Sequence, residues 1–116
     1  MKVIIAGGRD FNDYELLYEK CESILSRVTE PIEIVSGCAE GADTLGERYA
    51  NAKGYDVVLF PANWKAFGKY AGPIRNGIMA DYADSLIAFW DGRSPGTGNM
   101  ISVAKAAGLK VRVINY

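Results

Sequence analysis

At 116 residues, with 49% hydrophobic and 23% charged side chains, the chain is long enough for one well-buried core and too short for two ordinary ones. Thirteen basic residues against 14 acidic ones leave a net charge of -1, which excludes a global positive field of the kind that gathers nucleic acid or coats an anionic membrane. With no histidine and only Cys21 and Cys38, the chain has no Ser-His triad, no imidazole base, no imidazole-based or all-cysteine zinc site and no disulfide framework, and its free thiols fit a reducing compartment.

The apolar start at Val3 to Ala6 reads as a strand and meets Gly7-Gly8-Arg9-Asp10 within a few residues. That is too soon for a signal peptide and far short of the ~20 residues of a membrane helix, so the expectation is a cytoplasmic protein without a membrane partner. Asn12-Asp13-Tyr14-Glu15 reads as a capping box, and Leu17, Cys21, Ile24, Leu25 and Val28 follow at helical spacing. After a strand at Ile32 to Ser36, a second helix is expected from Ala42 through Leu45 and Tyr49 to Gly54, a residue suited to a left-handed cap.

A third strand at Val57 to Phe60 leads into Pro61 to Gly72, which has no clear periodicity but carries Trp64, Phe67 and Tyr70. A long aromatic connection of that kind is expected to be functional and ordered. A helix beginning at Pro73 is expected to turn Ile74, Ile78 and Tyr82 inward. Leu86 to Trp90 is a fourth strand. A last helix from about Thr97 puts Met100, Val103, Ala104 and Ala107 on one face and stops at Gly108, before a strand at Val111 to Ile114.

Most of these strands are continuously apolar, the pattern of strands buried on both faces. Strand and helix alternate four times before the final strand, which predicts a Rossmann-like three-layer α/β sandwich with a five-stranded, mainly parallel sheet, a single domain over residues 1–116.

In such sheets ligands bind beyond the carboxyl ends of the strands. There the sequence places Gly7-Gly8-Arg9-Asp10, then Ser36-Gly37-Cys38-Ala39-Glu40-Gly41-Ala42-Asp43, then Asp91-Gly92-Arg93-Ser94-Pro95-Gly96-Thr97-Gly98. One glycine loop only turns a strand into a helix, but several at one edge point to a phosphate cradle beside helix N-termini. Arg9 and Arg75 are the cations placed to neutralise the charge, and neither a P-loop nor a dinucleotide fingerprint occurs. Asp10, Asp43, Asp84 and Asp91 are candidate Mg²⁺ or ribose ligands, with structural roles expected for all but Asp91. Cys38 is expected to be a small packed side chain.

The set Ala6-Gly7-Gly8-Arg9-Asp10-Phe11, Ser36 to Asp43, Phe60-Pro61-Ala62-Asn63-Trp64, Ala71-Gly72-Pro73-Ile74-Arg75-Asn76, and Gly96-Thr97 with Asn99-Met100 resembles the YspA/YpsA-related branch of the SLOG superfamily over nearly the whole chain. That superfamily groups the Smf/DprA DNA-uptake proteins with the LOG cytokinin-activating phosphoribohydrolases, and the resemblance implies a nucleotide-type ligand. The LOG pattern of an arginine with a methionine four residues on is matched by Arg75 and Met79, and its glycine-threonine turn by Gly96-Thr97. Where LOG enzymes carry a catalytic glutamate three residues after that threonine, this chain has Met100, which can exchange no proton. The DprA motifs are matched by Ser36 to Asp43 and by Arg75-Asn76, with Gly77 in place of a second arginine.

The expected function is therefore binding of a nucleotide or nucleotide-derived ligand by a sensor or regulatory module. Gly7, Gly8, Arg9, Ser36, Gly37, Gly41, Asp43, Arg75, Asn76, Gly96, Thr97 and Gly98 would hold it, and Trp64 would stack on the base. No cofactor is expected beyond Mg²⁺ that accompanies a nucleotide. The rival enzyme reading is N-glycosidic cleavage of a nucleoside monophosphate or NAD-like molecule, with Arg75, Asp91 or Glu40 as catalytic candidates. The rival nucleic-acid reading is single-strand binding on Trp64, Phe67 and Tyr70. The sequence leaves assembly with further copies of the chain open.

Overall fold

A computed structural model describes residues 1–116. The strands are β1 (Lys2–Gly7), β2 (Glu33–Ser36), β3 (Asp56–Leu59), β4 (Ser85–Trp90) and β5 (Lys110–Asn115). The helices are α1 (Tyr14–Leu25), α2 (Ala42–Lys53), the short α3 (Trp64–Phe67), α4 (Ala71–Tyr82) and α5 (Pro95–Ala106), with a 3₁₀ turn at Gly68–Tyr70. The five strands pair in the order β3-β2-β1-β4-β5, and every pairing is parallel.

Residue parity along the strands decides which helix layer each side chain meets. On one face Val3, Ile5, Ile34, Ile87 and Phe89 pack with Leu17, Cys21 and Leu25 of α1 and Tyr49 and Ala50 of α2. On the other, Ile4, Ala6, Val35, Leu86 and Ala88 pack with Met79 and Ala80 of α4 and Met100, Ile101 and Ala104 of α5. Both faces of the central strands are covered, which is why those strands are apolar at every position. Burial pushes the Cys21 thiol up to about 12, so it is an inert core group. Tyr49 donates to Glu22 at 2.6 Å and Lys53 reaches the same carboxylate at 3.2 Å, tying α1 to α2. No helix is long and apolar enough to cross a membrane.

Several local expectations are corrected. Pro61 to Gly72 is not an open connection: Asn63 caps α3 by accepting from the Ala66 amide at 3.1 Å, and α4 begins at Ala71, with Pro73 as its third residue. The first helix is capped by Asp13, which accepts from Leu16, in place of the Asn12-based box. The fifth helix starts at Pro95, and Ala107 lies exposed at its end.

The inward face of α4 is also rotated from the expectation. Ala71, Gly72, Asn76, Met79 and Ala80 are buried, whereas Ile74 and Ile78 are 39% and 52% exposed. Small residues on the buried side let the helix lie close to the sheet, and that close approach outweighs burying the two larger isoleucines. Tyr82 is half-buried and donates to Glu33. Gly54 ends α2 in the left-handed conformation, as its sequence position predicts.

Candidate functional site

The chain leaves β1 towards β2 on one side of the sheet and returns through β4 towards β5 on the other, so the connections after β1 and β4 diverge. A cleft opens at that point, where doubly wound sheets form ligand sites. Its volume is about 610 Å³, within the range of small-molecule sites. Its floor is Ala6 to Asp10 with Met79 and Met100; its walls are Trp64, Lys69, Gly72, Pro73, Arg75 and Asn76 on one side and Ser94 to Thr97 with Asn99 on the other.

Of the residues expected to hold a ligand, the cleft brings together Gly7, Gly8, Arg9, Asp43, Arg75, Asn76, Gly96, Thr97 and Trp64. Ser36, Gly37, Gly41 and Gly98 stand behind it. Ser36 donates to Glu47 at 2.6 Å and accepts the Cys38 amide at 3.1 Å, which holds the loop after β2 in shape. Gly41 has φ 77° and lies against the Gly8 and Arg9 carbonyls, with 2.6 Å between an added Cβ and the Arg9 oxygen. Its absent side chain is what lets the two loops touch. Gly98 packs on Trp90, whose indole donates to the Ser94 carbonyl at 3.0 Å.

Counting backbone donors shows where an anion can be held. The Gly8 amide is spent on the Phe89 carbonyl at 3.1 Å and the Ala42 amide on the Gly8 carbonyl at 3.2 Å. Cys38 and Ala39 donate to Ser36 and Asp43. The Gly8, Cys38, Ala39 and Ala42 amides are therefore consumed in holding these loops in shape. At the start of α5, Pro95 has no amide proton, and the Gly96 and Thr97 amides donate to no protein acceptor. These two donors, with the positive end of a 12-residue helix behind them, are free backbone donors on the cleft wall.

Arg75 faces them from α4. Its guanidinium donates to the Gly37 carbonyl and, through Nε, to Asn76 Oδ1 at 3.0 Å, while Asn76 Nδ2 donates to Asn99 Oδ1 at 3.0 Å. These contacts fix the plane of the fork and leave it further N–H groups. Lys69 and exposed Arg9 add two cations to the lining, against the carboxylates of Asp10 and Asp43. Sequence reasoning missed Lys69; the signal was its place among the aromatics of Pro61 to Gly72. Asp10 is tied down by Tyr116, whose hydroxyl donates to it at 2.8 Å and whose ring meets Phe11 edge-on with centroids 4.8 Å apart.

The carboxylates are not placed as expected. Asp91 does not line the cleft; it accepts from the Arg93 and Ser94 amides at 2.8 Å each and from the Ser94 hydroxyl at 3.0 Å. Those bonds, the Ser94 amide first, hold its carboxyl below the usual range. Glu40 is exposed and outside the cleft. Asp43 is only 5% exposed, lines the cleft and accepts from the Ala39 amide at 3.2 Å. Burial pushes its carboxyl up to about 6, against the lowering pull of that bond and of Arg75 and Arg9. Asp84 accepts from the Lys2 amide at 2.8 Å, a strand-end role.

Cys38 is exposed, not packed, and sits at φ 65°. Partial burial, followed by the nearby Glu47 charge, raises its thiol rather than activating it. No three His, Cys, Asp or Glu side chains stand close enough together to hold a metal ion. Met100 lines the cleft at 2% exposure, as part of the core beneath it.

A doubly wound parallel sheet with a cleft at its switch point defines a Rossmann-like α/β protein. Comparison with known families agrees: the model of the YspA, cpYpsA-related SLOG family matches residues 1–67, from β1 through α3. The chain belongs to that family. It is also 35% identical over 121 residues to the Gene 61 protein of Mycobacterium phage D29, an alignment covering 99% of this chain and 95% of that one. No solved structure matches it.

Proposed function

We propose that the cleft binds a phosphate-bearing nucleotide or nucleotide derivative, and that residues 1–116 form one domain acting as its sensor or regulatory module. The observation that carries this reading is the pair of unspent amides of Gly96 and Thr97, facing a guanidinium held in place at Arg75. Fixed donors and a helix terminus are complementary to a phosphate and cost no rearrangement on binding. Trp64, half exposed on the cleft wall, offers a flat face for a base. Membership of a SLOG family points to a nucleotide-related role. Mg²⁺, where it takes part, arrives on the ligand's phosphates.

The test is a panel of nucleosides, nucleoside phosphates and dinucleotides, followed by thermal shift and by release of free base. Saturable stabilisation by a phosphate-bearing member, absent with the matching nucleoside and without base release, is the expected result. A panel in which nothing stabilises the protein would overturn the assignment.

A second reading, hydrolysis of the N-glycosidic bond, is favoured by one observation. Asp43 is a buried carboxyl on the cleft wall with a proton affinity near neutrality, the property needed in a general acid or base. Base release by the wild-type protein that disappears in Asp43→Asn would establish it.

A further inference from the structure

We infer that Asn99 reads the ligand: its side-chain Nδ2 is a third neutral donor beside the Gly96 and Thr97 amides, held outward by Asn76, so that the first turn of α5 meets ionised oxygens with donors alone. The inference rests on the phosphate reading of the cleft and adds a residue which that reading does not use. Its basis is a run of hydrogen bonds whose direction is settled by chemistry. A guanidinium has donors and no acceptor, so the Asn76 atom that meets Arg75 Nε at 3.0 Å is its oxygen. The Asn76 nitrogen then faces α5, 3.0 Å from Asn99 and 3.4 Å from the Gly96 carbonyl. A donor at that point obliges Asn99 to turn its oxygen to Asn76, which leaves its own NH2 on the far side.

Both ends of this relay are fixed. Asn76 is 5% exposed, and its oxygen and nitrogen are both engaged. Turning the Asn99 amide over would lose the Asn76 bond and set two N–H groups against each other. Asn99 is half-buried on the cleft wall, and its Nδ2 donates to no protein acceptor. It is the fifth residue of α5, and helical side chains lean towards the N-terminus, so its amide lies over the first turn, where the Gly96 and Thr97 N–H groups are free. The Asn76 nitrogen, touching both Asn99 and the Gly96 carbonyl, occupies that carbonyl and fixes the placement. Arg75 adds its remaining N–H groups from α4, and the Thr97 hydroxyl is able to turn and donate. Sulfate or phosphate oxygens match such a set, whereas a group that brings a proton of its own leaves part of it unpaired.

Sulfate is the probe, because it accepts hydrogen bonds and carries no base. Its binding to the full chain is followed by thermal shift at constant ionic strength and by NMR of the side-chain NH2 groups. The NH2 signal that Asn99→Ala deletes should move as sulfate is added to the wild type, and Asn99→Ala should weaken binding about tenfold or more. Asn99→Asp, which still accepts from Asn76 but has no donor, should weaken it further. Asn76→Asp keeps an acceptor for Arg75 and removes the donor, so that Asn99 turns its nitrogen inward; in that background Asn99→Ala should cause little additional loss. Losses that simply multiply would make Asn76 a structural residue and overturn the relay. Circular dichroism checks folding, and if Asn76→Asp does not fold, the two Asn99 variants and the NH2 signal decide the matter. Wild-type affinity in both Asn99 variants, with an unmoved signal, would overturn the inference and leave the phosphate reading standing. A wild type that sulfate does not stabilise would also overturn it, and the nucleotide panel then decides that reading by itself.

Discussion

Replacing Asp43 by Asn isolates the cost of keeping a carboxylate inside the cleft wall. The ordinary value for this group is 3.8 and the fold raises it to about 6, so the folded chain holds the proton over a window in which the unfolded chain has released it. At 1.36 kcal/mol per unit, a rise of roughly two units amounts to about 3 kcal/mol. The raised value fixes the sign. Below about pH 4 both states are protonated and Asp43 costs nothing; between about pH 4 and 6 its contribution falls by ~1.4 kcal/mol per unit; above 6 the full penalty is present and constant. Asparagine keeps an oxygen for the Ala39 amide, which the carboxylate accepts at 3.2 Å, and has no charge to desolvate. Its altered packing shifts the whole stability curve by a pH-independent amount. The measurement is urea unfolding of both proteins from pH 4.5 to 7.5, taken as a difference so that the other carboxylates cancel. The variant should gain about 2 kcal/mol on the wild type across that range, nearly all of it below pH 6.5. Parallel curves would refute the reasoning, because they would mean that Asp43 ionises as it does in the unfolded chain.

Arg75→Ala removes a charge-assisted donor from the cleft, so affinity for a phosphate-bearing ligand in calorimetry should fall by about 10- to 100-fold, with the sheet intact by circular dichroism. Gly41→Ala forces a side chain onto a left-handed backbone against the Gly8 and Arg9 carbonyls, and should cost about 2 kcal/mol or more in chemical unfolding, well above the loss from an alanine at exposed Gly96. Sulfate does not titrate near neutrality; its affinity, read by thermal shift at constant ionic strength, should increase as the pH falls from 7.5 to 5.5, and Asp43→Asn should flatten that dependence. Single-stranded DNA should bind weakly and lose affinity with salt, because the lining sets Arg9, Lys69 and Arg75 against two carboxylates; sub-micromolar binding at physiological salt would contradict this.

The elements and their layering were legible in the sequence because they follow from local patterns. Continuous apolar runs marked buried strands, glycines at 54 and 108 marked helix ends, and the alternation of the two element types left a parallel sheet as the solution that buries both faces. The edge of the sheet that forms the cleft was legible for the same reason. Which donors are already spent there was not: the amides of Gly8, Ala42, Cys38 and Ala39 go to Phe89, Gly8, Ser36 and Asp43, while those of Gly96 and Thr97 stay free. The same limit separated Asp43 from Asp91 and turned Ile74 and Ile78 outward. A residue's neighbours along the chain set its backbone conformation, but its hydrogen-bond partners, desolvation and helix rotation come from segments distant in sequence. Arg75 reaching across to the Gly37 carbonyl is a contact that only tertiary packing can make.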